Sequence, residues 1–269
     1  MNLTKSIWPP AGAPIEGLVV PARPGGVPRG YALLLHGLTG TPREMLPLAE
    51  RLAAEDFECS IPLFPGHGSS LDALCCTPSS EWTAAAEAAL RAITAKNDSA
   101  PVVVLGLSFG AILTLWLMEQ HPTEFSHAAL LSPPLALRSL RDEVLLRILR
   151  SLPEPLLPLL GSRSKKARRE GYLSYPHFAY PRHSLAATTR LMSLRAPLLR
   201  TPPPWNKPIL LALDPQDHLI DTQRAVSWYR ENYPHGEVLE LEGGEHELTL
   251  GHRSAELASR VVKWLSTKG

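Results

Sequence analysis

Long apolar runs are missing from this 269-residue chain. No uninterrupted stretch approaches the roughly 20 apolar residues that a membrane-crossing helix needs. Met1 to Pro10 has no apolar core of the kind a secretory leader carries, so no signal peptide is expected. Cysteine is scarce. Cys59, Cys75 and Cys76 are too few for a disulfide framework, and the adjacent Cys75-Cys76 pair lacks the spacing of a metal site. Two ordinary thiols in a reducing, cytoplasmic setting are expected. Charge imbalance is also lacking. There are 27 Lys and Arg against 26 Asp and Glu, a formal net charge of +1, so no global electrostatic argument points to nucleic acid or an acidic partner. Neither a metal-ligand cluster nor a phosphate-cradling glycine motif is present, and no metal or cofactor is expected.

Proline is in excess, with 27 residues, roughly twice average usage. The prolines gather between Pro9 and Pro28 and again between Pro133 and Pro208. Between these clusters lies the stretch that organises the chain, Val102-Val103-Val104-Leu105-Gly106-Leu107-Ser108-Phe109-Gly110. A β-branched run ends in Gly-x-Ser-x-Gly, and the apolar segment Ala111 to Met118 reads as a buried helix. Strand, tight turn and helix are the context in which a serine is held strained and exposed at the top of a sheet. Side chains at Gly106 and Gly110 would collide with the neighbouring strand and helix. The helix N-terminus after Ser108 favours developing negative charge.

Ile15 to Val20 reads as an edge strand among loops. Tyr31-Ala32-Leu33-Leu34-Leu35 is continuously apolar, as in a strand buried on both faces, and ends in His36-Gly37-Leu38-Thr39-Gly40. A helix is expected to open there on Thr41 as N-cap, with Pro42 at the first helical position and Glu44 completing a capping box. Met45, Leu48 and Leu52 supply its apolar face, and Pro47 argues for a kink in the second turn. Phe57 to Ile61 is a strand leading into the turn-rich Pro62 to Gly68. A helix runs from Ser79 or Ser80 through Trp82, Ala86, Leu90 and Ile93, and Ala128 to Ser132 is the next strand. Strands alternating with helices predict an α/β fold, a mostly parallel sheet with helices on both faces. The loops at Gly37, Gly66 and Ser108 then share the edge where such sheets bind ligands.

The alternation breaks at Pro133-Pro134. About seventy residues follow that are helical, leucine-rich and proline-punctuated, without a clear strand. Leu140, Val144, Leu145, Ile148 and Leu149 form a stripe behind a Ser139 cap, and Leu152, Leu156, Leu157, Leu159 and Leu160 continue it. Most of these leucines are expected to pack against the core. A second helix runs from Ser184 through Leu194. Strand character returns at Pro208 to Leu213. The expected division is a first core part at 1–133, an inserted helical cap at 134–206, and a second core part at 207–269. Arg163-Ser164-Lys165-Lys166-Ala167-Arg168-Arg169 reads as a solvated loop, or at most a weak contact with an anionic membrane surface.

A serine hydroxyl is a poor nucleophile until a base takes its proton. In this architecture the order along the chain is serine, acid, histidine. Asp214, Asp217 and Asp221 follow the late strand. Asp214 before a proline suits a turn, and Asp221 suits the N-cap of a helix from Thr222 to Tyr233. Asp217 at the loop tip is the preferred acid, with Asp214 the runner-up. Glu242-Gly243-Gly244-Glu245-His246 follows the strand Val238 to Leu241, and its glycines permit a loop that carries His246 over the sheet edge. His252 is the rival. His36 and His67 read as hydrogen-bonding supports. Two N–H donors for an oxyanion are expected from the backbone of Phe109 and of Leu38.

Together, Leu33 to Pro42, Pro65-Gly66-His67-Gly68-Ser69, Gly106 to Gly110, Asp217 before Leu219-Ile220, and Gly244-Glu245-His246-Glu247 resemble the α/β-hydrolase superfamily. Within it they are most similar to small bacterial carboxylesterases and monoacylglycerol lipases. Tyr175-Pro176 and Leu194 to Leu199 resemble the end of that branch's cap, while Thr201-Pro202-Pro203-Pro204-Trp205 departs from it. The resemblance implies two-step ester hydrolysis by Ser108, His246 and Asp217, acting on a small-molecule ester with an apolar acyl chain. A thioesterase, acyltransferase or C–C bond hydrolase on the same residues, and a non-catalytic binding protein of the same fold, are the alternatives.

Overall fold

A computed structural model describes residues 15–23, 27–96, 99–165 and 173–267. The nearly all-apolar stretches form the centre of a seven-stranded sheet: β1 (Leu18–Val20), β2 (Gly30–Leu35), β3 (Phe57–Ile61), β4 (Val102–Leu107), β5 (His127–Leu131), β8 (Ile209–Leu213) and β9 (Glu237–Glu240). Their order is β1-β3-β2-β4-β5-β8-β9. Only β1, the expected edge strand, runs antiparallel to its neighbour.

Successive side chains of a strand point to opposite faces, and here both faces are dry. Ala32, Leu34, Val103, Leu105, Ala129, Leu131, Leu210 and Ala212 meet α1 (Leu46–Ala53) and α8 (Ser254–Thr267) through Leu48, Leu52, Leu257, Val261 and Trp264. Leu33, Leu35, Val104, Leu130, Leu211 and Leu213 meet α3 (Ser79–Thr94), α4 (Phe109–Gln120) and α7 (Thr222–Asn232) on the other face. Each buried leucine or valine among these contributes about 1.5–3 kcal/mol. Helix α4 is apolar nearly all round because it lies between the sheet and α6 (Leu185–Arg200).

Side-chain caps form at Ser139 and Asp221, as expected, and also at Ser184. Ser139 accepts from the Asp142 N–H, Ser184 from that of Ala187, and Asp221 from that of Arg224. Capping departs from expectation at Thr41. Pro42–Glu44 is a short 3-10 turn, the Thr41 hydroxyl makes no capping bond, and α1 begins at Leu46 with Pro47 in its first turn. A proline there forfeits no helical hydrogen bond, which removes the reason for the expected kink. The sequence reading also missed the short α2 (Leu71–Cys76). Cys75 is buried, Cys76 exposed, and all three cysteines are unpaired.

Between β5 and β8 the chain leaves the sheet. This insertion holds α5 (Leu140–Leu149), a 3-10 segment (Glu154–Leu160), α6 and an antiparallel pair of short strands, β6 (Ser162–Ser164) and β7 (Arg182–Ser184), which corrects the expectation of no strand. The leucine stripe is corrected too. Leu146 and Leu157 are buried, whereas Leu140, Val144 and Ile148 are 67%, 58% and 62% exposed. Their spacing of four puts them on one face of α5, but that face is turned outward. Of the basic run, Arg163 pairs with Asp142 at 3.0 Å and Lys165 donates to the Thr39 hydroxyl at 2.6 Å; residues 166–169 lie outside the described residues. Among the described residues, no helix is long and apolar enough to cross a membrane.

Candidate active site

The carboxyl ends of β2, β4, β8 and β9 converge on Ser108. It adopts φ 53° and ψ −109°, a conformation that costs a non-glycine residue on the order of 1–3 kcal/mol. Its N–H is held by the Leu131 carbonyl at 2.8 Å. Close approach dictates the flanking glycines. A Cβ on Gly106 would lie 2.1 Å from the Gly110 oxygen, and one on Gly110 would lie 2.1 Å from the Leu35 oxygen. Phe109 opens α4, so its N–H is one of the first-turn donors with no acceptor inside the helix.

Three predicted residues meet here. The Ser108 hydroxyl lies 2.9 Å from His246 Nε2, and His246 Nδ1 donates to Asp217 Oδ2 at 2.7 Å. Asp217 is fully buried, and its other oxygen accepts from the N–H groups of Leu219 at 2.7 Å and Ile220 at 3.2 Å. Burial alone would raise its carboxyl. The charge and hydrogen bond of His246 and the two N–H donors outweigh that and hold it below the ordinary carboxylate range. The insertion steadies this loop. Arg138 donates to the Asp217 carbonyl at 2.8 Å, and Leu137 bridges Ile220.

Asp214 does more than open a turn. Its carboxylate accepts from the Gln216 N–H at 2.8 Å and from the Glu245 N–H at 2.7 Å, joining the acid loop to the residue before His246. Glu245 itself has φ 61°. His252 lies apart from the serine, near the Ser174 hydroxyl.

The loop after β2 carries Leu38. The carbonyl of Gly37, which belongs to the same peptide as the Leu38 N–H, accepts from His36 Nδ1 at 2.9 Å and from the Gly40 N–H at 3.1 Å. The Leu38 carbonyl accepts from His67 Nε2 at 2.5 Å. Burial pushes His67 down to about 3. The Pro65 carbonyl facing its Nδ1 takes a hydrogen from the Trp82 indole at 3.1 Å. The rings of His67 and Phe109 stack at 5.9 Å. His36 and His67 thus each hydrogen-bond a carbonyl of the loop after β2.

Four contributors escaped the sequence reading. Glu44 accepts from the Gly37 N–H at 2.8 Å and from His177 at 2.5 Å. Tyr180 holds the Thr39 carbonyl through its N–H and the Gly66 carbonyl through its hydroxyl. Arg138 is the fourth. Only Glu44 left a signal, an acidic residue beside a glycine-rich loop, and it was absorbed by the capping-box pattern. Among the described residues, no group of three His, Cys, Asp or Glu side chains could hold a metal ion.

A thermostable monoacylglycerol lipase from a Bacillus species is 39% identical over 90 residues, which span 34% of this chain and 35% of that protein. The solved structure reported for LipS and LipT, two metagenome-derived lipolytic enzymes, superposes with a TM-score of 0.78 at 23% identity, covering 94% of this chain and 97% of that one. A soluble variant of the monoglyceride lipase from Saccharomyces cerevisiae, in complex with a substrate analogue, gives 0.76 at 16% identity, covering 94% and 91%. At these identities the two structures carry the fold alone. The model of the alpha/beta hydrolase family matches residues 32–260, and the chain belongs to that family.

Proposed function

We propose that this protein is a serine hydrolase that cleaves carboxylic esters with an apolar acyl chain, short or medium esters or monoacylglycerols, through an acyl-enzyme. The observation that carries the reading is the unbroken hydrogen-bonded line from Ser108 through His246 to Asp217 on a strained serine. Ser108 Oγ attacks the ester carbonyl carbon while its proton passes to His246 Nε2, and the carbonyl electron pair moves onto oxygen. Asp217 keeps Nδ1–H pointed at itself and stabilises the imidazolium. The backbone N–H groups of Leu38 and Phe109 receive the oxyanion. Its collapse expels the alcohol, which takes the proton from His246. Water then attacks the acyl-enzyme, giving its proton to His246, and the acid leaves as Ser108 is reprotonated.

The acyl preference rests on the insertion, which serves as a cap in this reading. Leu135, Leu137, Leu191 and Leu194 join the cluster that contains Phe109, the residue after the nucleophile. Each methylene contributes only about 0.8 kcal/mol, so a broad optimum in chain length is expected. The outward stripe of Leu140, Val144 and Ile148, with exposed Arg141 and Arg147 on the same helix, suits shallow contact with an anionic lipid surface. Hydrolysis of p-nitrophenyl esters from two to sixteen carbons, with wild type beside Ser108→Ala, tests the reading. Turnover that depends on Ser108 and peaks at one chain length is expected. Folded protein that turns over no ester, or a Ser108→Ala variant that retains activity, would overturn it.

A further inference from the structure

The oxyanion loop is wrapped around a carboxylate. Glu44, 3% exposed, points back from its 3-10 turn into the bend of Gly37 to Gly40. A Cβ on Gly40 would lie 2.0 Å from the Glu44 carboxyl carbon, so the loop closes on the carboxylate more tightly than any side chain allows. One carboxylate oxygen takes the Gly37 N–H and the other takes the Nε2–H of His177, which is 1% exposed and comes from the insertion. Next in sequence to each, Arg43 lies 4.7 Å over the ring of Phe178. Two residues further, the Tyr180 N–H reaches the Thr39 carbonyl at 2.9 Å. A seam therefore joins 39–44 of the core to 177–180 of the insertion.

Burial opposes charge on both partners. The Glu44 carboxyl nevertheless lies below its ordinary value, because the hydrogen bond and charge of His177, the charge of His36 and the Gly37 N–H outweigh the loss of water. Burial lowers His177 despite the pull of Glu44. The geometry is plain: one Glu44 oxygen holds the Gly37 N–H and the other holds the His177 ring nitrogen. A buried carboxylate deprived of one donor turns toward another or draws in water. In either case the Gly37 N–H shifts with it. The Gly37 nitrogen is joined through its own Cα to the peptide that carries the Leu38 N–H, whose carbonyl end is already fixed by His36 and Gly40.

We propose that Glu44 and His177 are positioning residues that aim the Leu38 N–H, so that the oxyanion donor is correctly set only while the insertion is seated on the core. The proposal rests on the esterase reading above. It makes the insertion part of the catalytic assembly as well as a wall of the acyl site. A misdirected donor lowers the rate of oxyanion formation without weakening binding of the uncharged ester.

The test compares wild type, His177→Phe, which keeps ring volume and removes the donor, and His177→Gln, which restores an N–H at a similar reach. Kinetics on p-nitrophenyl butyrate are read together with inhibition by a trifluoromethyl ketone, which becomes an oxyanion on binding Ser108. His177→Phe is expected to lower kcat roughly 10–100-fold with KM within twofold, and to weaken the ketone in proportion to kcat/KM. His177→Gln is expected to recover most of both. If His177→Phe does not fold, His177→Asn, too short to reach Glu44, takes its place against His177→Gln. Unchanged kcat in the donor-less variant, equal losses in both variants, or a loss confined to KM or melting temperature would overturn the proposal. Wild type without ester turnover would instead overturn the function reading.

Discussion

Two buried imidazole–carboxylate pairs sit at the same end of the sheet. In one, His246 donates to Asp217 at 2.7 Å; in the other, His177 donates to Glu44 at 2.5 Å. Both carboxylates are also held by backbone N–H groups and lie below their ordinary values. They differ in what lies beyond. His246 has the Ser108 hydroxyl 2.9 Å from its second nitrogen, and both members of that pair come from loops that follow core strands. The other pair bridges core and insertion, and its carboxylate is wrapped by the loop that carries Leu38. In the function and the positioning role proposed above, the same chemical couple moves a proton where it faces Ser108 and sets a backbone donor where it faces a loop. Partners decide the role, not the pair.

Breaking the first pair has the larger effect. Ser108→Ala is expected to lower kcat on a soluble ester by roughly 10⁴-fold or more, measured with the melting temperature held as a folding check. Asp217→Asn should lose roughly 10³–10⁴-fold, because an amide at Oδ2 presents hydrogens to Nδ1 and favours the wrong tautomer. The loop should survive, since the remaining oxygen still accepts from Leu219 and Ile220. Asp214→Ala cuts the bond between the acid loop and the histidine loop. About 1–3 kcal/mol of stability should be lost through two unpaired N–H groups, read by denaturant titration.

The second pair sharpens the contrast through pH. Glu44 is held below its ordinary 4.5 when folded, so its contribution to stability is complete above that value and is lost as pH falls through the folded value. Wild type should therefore lose more stability than Glu44→Gln in titrations below pH 4.5. At the far end of the scale, Ile148→Ser on the exposed face of α5 should change kcat on a soluble ester by less than about twofold, since surface substitutions away from special features seldom matter.

Much of this site was legible because its parts are local. Gly106 and Gly110 are small for a reason that strand, turn and helix already imply, and Asp221 and Ser139 cap the helices they precede. Asp217 and His246 follow from loop position once the sheet is accepted. The second pair was not legible. Glu44 stands three residues after Thr41, the spacing of a capping box, yet its partner His177 lies 133 residues away and nothing in the intervening pattern links them. Long-range burial overrode a local motif. The leucines of α5 teach the same lesson in another form. Their period gives a face, but only the packing of α6 on α4 and α5 decides which face turns to water.

The most direct test is the mass of the intact protein after reaction with a serine-directed fluorophosphonate, followed by peptide mapping. One adduct per chain, on the peptide containing Ser108 and absent from Ser108→Ala, is the result expected of a nucleophile activated by His246 and Asp217. No adduct on folded protein, or an adduct on another residue, would contradict it.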